Sequence, residues 1–273
     1  MYKRYIRPIL FKFDPESIHN LILYLGRFMS FTKLSRRLRT SFVFKDDKLE
    51  NEVMGIKFEN PIGLSAGFDK NAFLTDFIPD LGFGFIEIGS VTANSCEGNP
   101  KPRLHRLVKN KGIIVNFGLC NQGAEKIYQR LKEKHLRITL GVSIEKTNDS
   151  SIKGEKSVED YFIGFQIMRG VGDYLVINIS CPNSGDGRSF EDPILLESLL
   201  KKIEKVRKKE KILLKISPDI NKKNLNEVIS LSEKYNITGF ILSNLSKKRE
   251  GLKEDSNLKY AGGISGKHTQ KRS

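Results

Sequence analysis

The sequence predicts an α/β protein built on parallel strands, and three observations carry that reading. Short apolar runs at 61–65, 84–88, 138–144, 174–179, 211–216 and 238–242 alternate with helical periodicity near 71–81, 121–133, 157–169, 192–208 and 221–234. Strand–helix alternation implies parallel strands joined by right-handed crossovers. Polar and reactive residues close nearly every run: Ala66-Gly67-Phe68-Asp69-Lys70, Asn178-Ile179-Ser180-Cys181-Pro182-Asn183, and Lys215-Ile216-Ser217-Pro218-Asp219. Chemistry at the carboxyl ends of strands favours a (β/α)8 TIM-type barrel over a doubly wound sheet. Six strands are legible, so the barrel is expected to be incomplete, with about six βα units.

Ahead of the barrel, residues 2–13 place Tyr2, Ile6, Ile9, Leu10 and Phe13 at helical spacing, with Pro8 as a kink. Asp14 then reads as an N-cap and Pro15 as a first helical position. The following helix carries Ile18, Leu21, Ile22, Leu25, Phe28 and Met29 on a wide apolar face. Two short amphipathic helices with basic flanks have the form of a membrane-surface anchor; a helical arm packed on its own domain is the competing reading. Residues 32–44 read as a basic linker, and 53–58 as a hairpin. The expected division is therefore 1–44, a helical membrane-associating segment with its linker, and 45–273, the barrel.

The 273 residues suffice for one large α/β domain or two small ones. Formal net charge is +15, and residues 1–40 supply +7 of it: nine Lys/Arg stand against Asp14 and Glu16. A basic balance suits an anionic membrane surface, nucleic acid or acidic substrates, and a plain lysine-rich surface gives the same count. Cys96, Cys120 and Cys181 have no CxxC spacing and no nearby His pair, which excludes a disulfide framework and a zinc site. No run of about 18 apolar residues is present, so no spanning helix is expected. Asp14-Pro15-Glu16 interrupts the basic start and no small-residue cleavage site follows, so no signal peptide is expected.

Several motifs stand in a recognisable order. They are 13–19 (FDPESIH), 60–70 (NPIGLSAGFDK), 82–92 (GFGFIEIGSVT), 98–104 (GNPKPRL), 178–183 (NISCPN), 215–219 (KISPD), Ser243-Asn244, and 262–266 (GGISG). On these the chain resembles the dihydroorotate dehydrogenases, in particular the membrane-associated, quinone-using class 2, along nearly its whole length. The resemblance implies FMN at the barrel mouth and oxidation of dihydroorotate to orotate, the redox step of de novo pyrimidine synthesis. A membrane quinone would be the electron acceptor. The protein would sit peripherally on the cytoplasmic side of the cell membrane, held to anionic lipid by residues 1–40, with no nucleic-acid partner.

The resemblance also implies roles. Cys181 occupies the position of the base that removes the C5 proton. Class 2 enzymes usually carry serine there and class 1 enzymes cysteine; a thiol titrating near ~8.5 is the better proton acceptor. Lys70, Asn116, Phe117, Gly118, Asn178, Asn183 and Asn244 match substrate-binding positions, the amides suiting the imide edge of a pyrimidine. Ala66, Gly67, Lys70, Ser90, Ser143, Asn178, Lys215, Ser243 and Gly266 match flavin-contacting positions. Lys215 would place a cation near the flavin edge that gains negative charge on reduction. Arg106 matches a position near the quinone tunnel.

Three departures qualify the match. Val115 stands where the family places a substrate-binding Asn, leaving Asn116 to replace it. Ser143 replaces a flavin-contacting Asn, keeping one hydrogen bond with shorter reach. Strands seven and eight, with their phosphate-binding loops, are missing. The chain is thus expected to be C-terminally truncated by about 60 residues and to hold FMN poorly. A tRNA-dihydrouridine synthase-like flavoprotein would share an FMN barrel and a basic surface, but the N-terminal helices and the 178–183 knot fit the first family. A non-catalytic remnant of the dehydrogenase is the third reading.

Overall fold

A computed structural model describes residues 2–30, 32–180 and 190–273. A π-helical turn, Tyr2–Ile6, runs into α1 (Arg7–Leu10). Asp14 then caps α2 (Pro15–Met29): its carboxylate accepts the Ser17 N–H at 2.7 Å, and Pro15 takes the first helical position. The expected linker at 32–44 is corrected, because α3 (Lys33–Phe42) is helical. Its Leu38 packs on the core, Ser35 is buried, and the helix rests on the 3-10 turn Ile78–Leu81. Tertiary packing of one face, which the basic composition hides, makes the helix.

The hairpin forms between β1 (Asn51–Val53) and β2 (Ile56–Phe58). Its turn residues Met54 and Gly55 both have positive φ, 60° and 68°, as a twist-matched two-residue turn requires. The strands β3 (Gly63–Leu64) and β4 (Phe85–Val91) follow. The helix expected near 71–81 is also corrected: only Ile78–Leu81 winds, as a 3-10 turn. The Asp69 carboxylate accepts the backbone N–H groups of Asn71, Phe73 and Leu74 at 3.2, 3.0 and 2.7 Å, and Ala72 has φ 57°. Those bonds wrap the segment around one side chain instead of into a helix.

The remaining elements are β5 (Leu104–Leu107), β6 (Gly112–Val115), α4 (Ala124–Leu131), β7 (Thr139–Ile144), α5 (Glu155–Met168), β8 (Tyr174–Asn178), α6 (Pro193–Val206), β9 (Ile212–Ile216), α7 (Lys222–Lys234), β10 (Gly239–Leu242) and β11 (Gly263–Gly266). Six strands form one parallel sheet in the order β10-β9-β8-β7-β4-β3. This is the half-barrel of an incomplete TIM-type barrel, with β3 and β10 at its edges. A second sheet, β11-β6-β5, is antiparallel and was not anticipated. Its strands are short, β11 lies about 150 residues beyond the β5–β6 pair, and β11 reads as a glycine-rich loop.

The core lies between the sheet and its helices. Leu140, Val142, Ile144, Leu175, Ile177, Ile212 and Leu214 are buried from the strands, and Tyr161, Phe165, Leu196, Leu199 and Leu200 from α5 and α6. Strands covered by helices read as near-continuous apolar runs. Each such side chain contributes about 1.5–3 kcal/mol, which fixes the strand ends that carry the polar groups. The helix α2 joins this core through Gly26, where a Cβ would lie 2.6 Å from Leu74 Cδ2 and 2.9 Å from Phe77 Cδ1. Glycine is what lets α2 lie flat on the barrel.

Candidate functional site

A connected set of hydroxyls and amides closes the carboxyl ends of the central strands. The Ser90 hydroxyl, at the end of β4, lies 2.9 Å from the Ser143 hydroxyl of β7. Asn178, the last residue of β8, donates from Nδ2 to Ser90 Oγ at 3.0 Å. Its Oδ1 accepts from Asn244 Nδ2 at 3.0 Å, and the same amide reaches Ser180 Oγ at 3.0 Å. Ser180 in turn donates to the Lys215 carbonyl at 2.9 Å. Parallel register sets Asn178 beside Lys215 of β9, whose ammonium meets Glu87 Oε1 of β4 at 3.4 Å. Both ends of that ion pair are buried.

A second group adjoins the first. Gly67 donates its N–H to the Gly89 carbonyl at 2.8 Å, which ties the Ala66–Lys70 loop to β4 just before Ser90. Lys70 Nζ donates to the Gly67 carbonyl at 2.7 Å and stands 3.9 Å over the Phe117 ring. Asn116 Oδ1 accepts from Asn99 Nδ2 at 2.9 Å; Asn148 donates to Asn99 Oδ1 at 3.3 Å and to the Gly118 carbonyl at 3.1 Å. Val115 is a paired residue of β6, facing Leu104 and Gly263, so the amide nearest the departed position is Asn116.

The electrostatics are specific. Burial, seconded by the Arg103 cation, lowers the Lys70 ammonium to about 8, while Cys120, Glu16 and Asp69 act in the opposite direction. The fully buried Asp69 is pushed up by burial against the pull of its three N–H donors. His19 of α2, edge-on to Phe68 at 4.7 Å, is lowered to about 4 by burial and by Lys70. It is therefore neutral near pH 7.

Arg106 of β5 joins the small sheet to the N-terminal segment, donating to the Phe13 carbonyl at 2.8 Å and the Leu10 carbonyl at 3.4 Å, with Phe11 beneath it at 4.6 Å. Gly266 lies opposite Gly112 in the small sheet, not at the hydroxyl–amide cluster. Arg106 and Gly266 instead line one cleft of about 780 Å³ with Lys3, Arg7, Phe11 and Ile113. The Ser243 hydroxyl is 2.7 Å from that of Ser273. Ala66 is half-buried in the Lys70 loop. Cys181 and Asn183 lie outside the described residues.

Sequence reasoning passed over Ser180, Glu87, Asn99 and Asn148 as site residues. Ser180 was inside a quoted motif, and Glu87 interrupts an otherwise apolar strand, which was signal enough; the two amides sit in loops with no periodicity to single them out. A flavin ring offers imide oxygens and an imide N–H at one edge and needs a cation near that edge. The clustered Ser90, Ser143, Asn178 and Lys215 supply hydroxyl, amide and ammonium groups of that chemistry within one bonded set, so the residues present fit the ring.

The family model described as dihydroorotate dehydrogenase matches residues 48–273. A dihydroorotate dehydrogenase (quinone) of Christiangramia forsetii is 42% identical over all of this chain and 81% of its own length. One from Thermus thermophilus is 37% identical over 96% of this chain and 76% of its own. Among solved structures, ligand-free DHODH from Eimeria tenella superposes with a TM-score of 0.82 at 27% identity, covering 95% of this chain and 77% of that one. The Eimeria tenella DHODH complex with ferulenol gives 0.80 at 28% identity, covering 93% and 73%.

Proposed function

The chain belongs to the dihydroorotate dehydrogenase family, and on that premise we propose that its hydroxyl–amide cluster holds the ring of FMN, with Lys70, Asn116 and Phe117 receiving dihydroorotate beside it. The activity is that of a dihydroorotate dehydrogenase (quinone), in pyrimidine biosynthesis. The family uses a flavin; that the flavin is FMN is part of the proposal. The observation that carries the site is the bonded series Ser143–Ser90–Asn178–Asn244–Ser180 with Lys215 at its side, at the strand ends where barrels place their chemistry.

Bound FMN supplies the acceptor for hydride from C6 of dihydroorotate. The chain's own residues do the rest. Lys70 sets a positive charge against the substrate carboxylate, and Asn178 and Asn244 present amides to the pyrimidine edge. Lys215, held by Glu87, would supply the positive charge that a flavin ring gaining negative charge on reduction needs. Cys181, three residues beyond Asn178, takes the C5 proton; this role rests on the resemblance and on its place after the strand. Ser143 keeps a hydroxyl on Ser90, as its shorter reach allows.

Residues 1–44 serve quinone access and peripheral membrane contact in this reading. Tyr2, Tyr5, Ile6, Ile9, Leu21, Ile22, Leu25 and Phe28 are exposed apolar side chains amid basic ones. Among the described residues no helix is long and apolar enough to cross a membrane. A membrane-surface segment presents just such a face to acyl chains. The test is dihydroorotate-dependent reduction of a soluble quinone analogue by the flavin-loaded protein. Activity lost in Lys70→Met and Asn178→Leu supports the site; full activity in both would move the site elsewhere.

A further inference from the structure

Glu16 lies on α2, inside the segment read as serving membrane and quinone, yet its carboxylate is buried against Arg103, just ahead of β5. Arg103 meets it with two arms: Nε reaches Oε1 and Oε2 at 3.1 and 3.2 Å, and Nη2 reaches Oε1 at 2.9 Å. The remaining donors of the buried Arg103 go to the Glu97 and Asn99 carbonyls at 2.9 and 3.0 Å and to Cys120 Sγ at 3.6 Å. Asn99 is the residue that bonds Asn116. The guanidinium also stands 5.3 Å from the centre of the Phe117 ring, the ring that carries Lys70 Nζ at 3.9 Å. Two cations thus share one aromatic ring, and Glu16 is the buried carboxylate bound to one of them.

We infer that Glu16 is a positioning residue for the dihydroorotate site: by neutralising Arg103 it lets Lys70 remain charged on the substrate loop, so α2 governs substrate binding as well as whatever it does at the membrane. The inference rests on the reading that the Lys70–Phe117 loop receives dihydroorotate. Without the carboxylate, Arg103 would face Lys70 uncompensated, and like charges disfavour each other's charged form. The other charged or titratable groups facing Lys70 are Asp69 beside it, His19 on α2 and Cys120 after β6. His19, lowered to about 4, stays neutral across the working range. Glu16 also meets Lys101 at 3.6 Å, but that lysine is exposed and weakly coupled.

The test is orotate affinity of the flavin-loaded full chain at pH 6 and pH 8, by calorimetry, read as the ratio of the two. A uniform structural loss cancels in the ratio. In Glu16→Gln the pH 8 affinity should fall about fivefold relative to pH 6, as expected if the Lys70 value drops by about one unit. Arg103→Gln, which removes the competing cation, should shift the ratio the other way; it also decides the matter should Glu16→Gln fail to fold. Lys101→Gln, which removes only the exposed partner of Glu16, should leave the ratio in place. Wild-type ratios in both Glu16→Gln and Arg103→Gln, or an equal shift from Lys101→Gln, would overturn the inference. Wild-type orotate affinity in Lys70→Met would overturn the site reading itself, and this inference with it.

Discussion

Lys215 and Glu87 form an ion pair at 3.4 Å across the inside of the half-barrel, from β9 to β4, with both side chains buried. Neither strand is next to the other in the sheet; β7 and β8 lie between them. A charge pair placed there costs desolvation that apolar neighbours do not repay, so its presence argues for a task beyond stability. That task is the proposed cation at the ring edge, with Glu87 holding it in place.

Removing one partner should therefore be far worse than removing both. Lys215→Met leaves the Glu87 carboxylate buried alone and should cost about 3–5 kcal/mol of stability. The double variant Lys215→Met/Glu87→Leu should recover to within about 1–2 kcal/mol of the parent and still fail to be reduced by dihydroorotate. Urea unfolding read alongside flavin reduction checks both parts. A double variant as unstable as the single one would show that the pair is structural.

His19 should not titrate near neutrality. Its folded value, about 4, lies below the ordinary 6.5, so the folded state excludes the proton. The sign follows: this stabilisation is full above pH 6.5 and is lost as pH falls toward 4, up to about 3 kcal/mol in all. An NMR titration of the His19 ring should show no inflection between pH 5.5 and 7.5. The variant His19→Phe should lose less stability than the parent between pH 7 and pH 4.5.

Membrane contact should weaken with salt. Lys3, Arg4 and Lys12 are exposed, and Arg7 half-buried, among the apolar residues of the first helices. At ~1 kcal/mol per basic residue near an anionic surface, replacing all four by Gln should lower vesicle affinity by two to three orders of magnitude at low ionic strength. Added salt should erase much of the difference, since exposed charges are screened over about 8–10 Å. Sedimentation with vesicles rich in anionic lipid, compared with neutral ones, measures it. Equal binding of parent and variant would leave the apolar face as the whole of the attraction.

Much of this arrangement was legible in the sequence, and the rest was hidden for physical reasons. The six strands and the Asp14–Pro15 helix start announce themselves through apolar runs and local capping chemistry, which need only neighbouring residues. Asn178 was found because polar groups stand at strand ends, and Ser90 and Asn244 through the motifs that carry the family resemblance; parallel register brings the strand ends together. The small sheet was missed because β11 and β6 pair across about 150 residues and neither has alternating character. The helix α3 was missed because its basic composition masks the face that packs. The stretch 71–81 misled because one carboxylate, Asp69, captures the N–H groups that a helix would need. The link from Glu16 to Arg103 spans 87 residues and leaves no local signal.

The proposed base, Cys181, follows β8 by three residues in the sequence, and one measurement tests that role directly. Flavin-loaded protein mixed with dihydroorotate without oxygen should bleach in a single turnover. Cys181→Ala should slow that bleaching by ~10²-fold or more, the usual scale for loss of a general base, while orotate still binds. Cys181→Ser should keep some rate with its pH optimum moved upward. A Cys181→Ala protein that bleaches at nearly the parent rate would contradict the assignment.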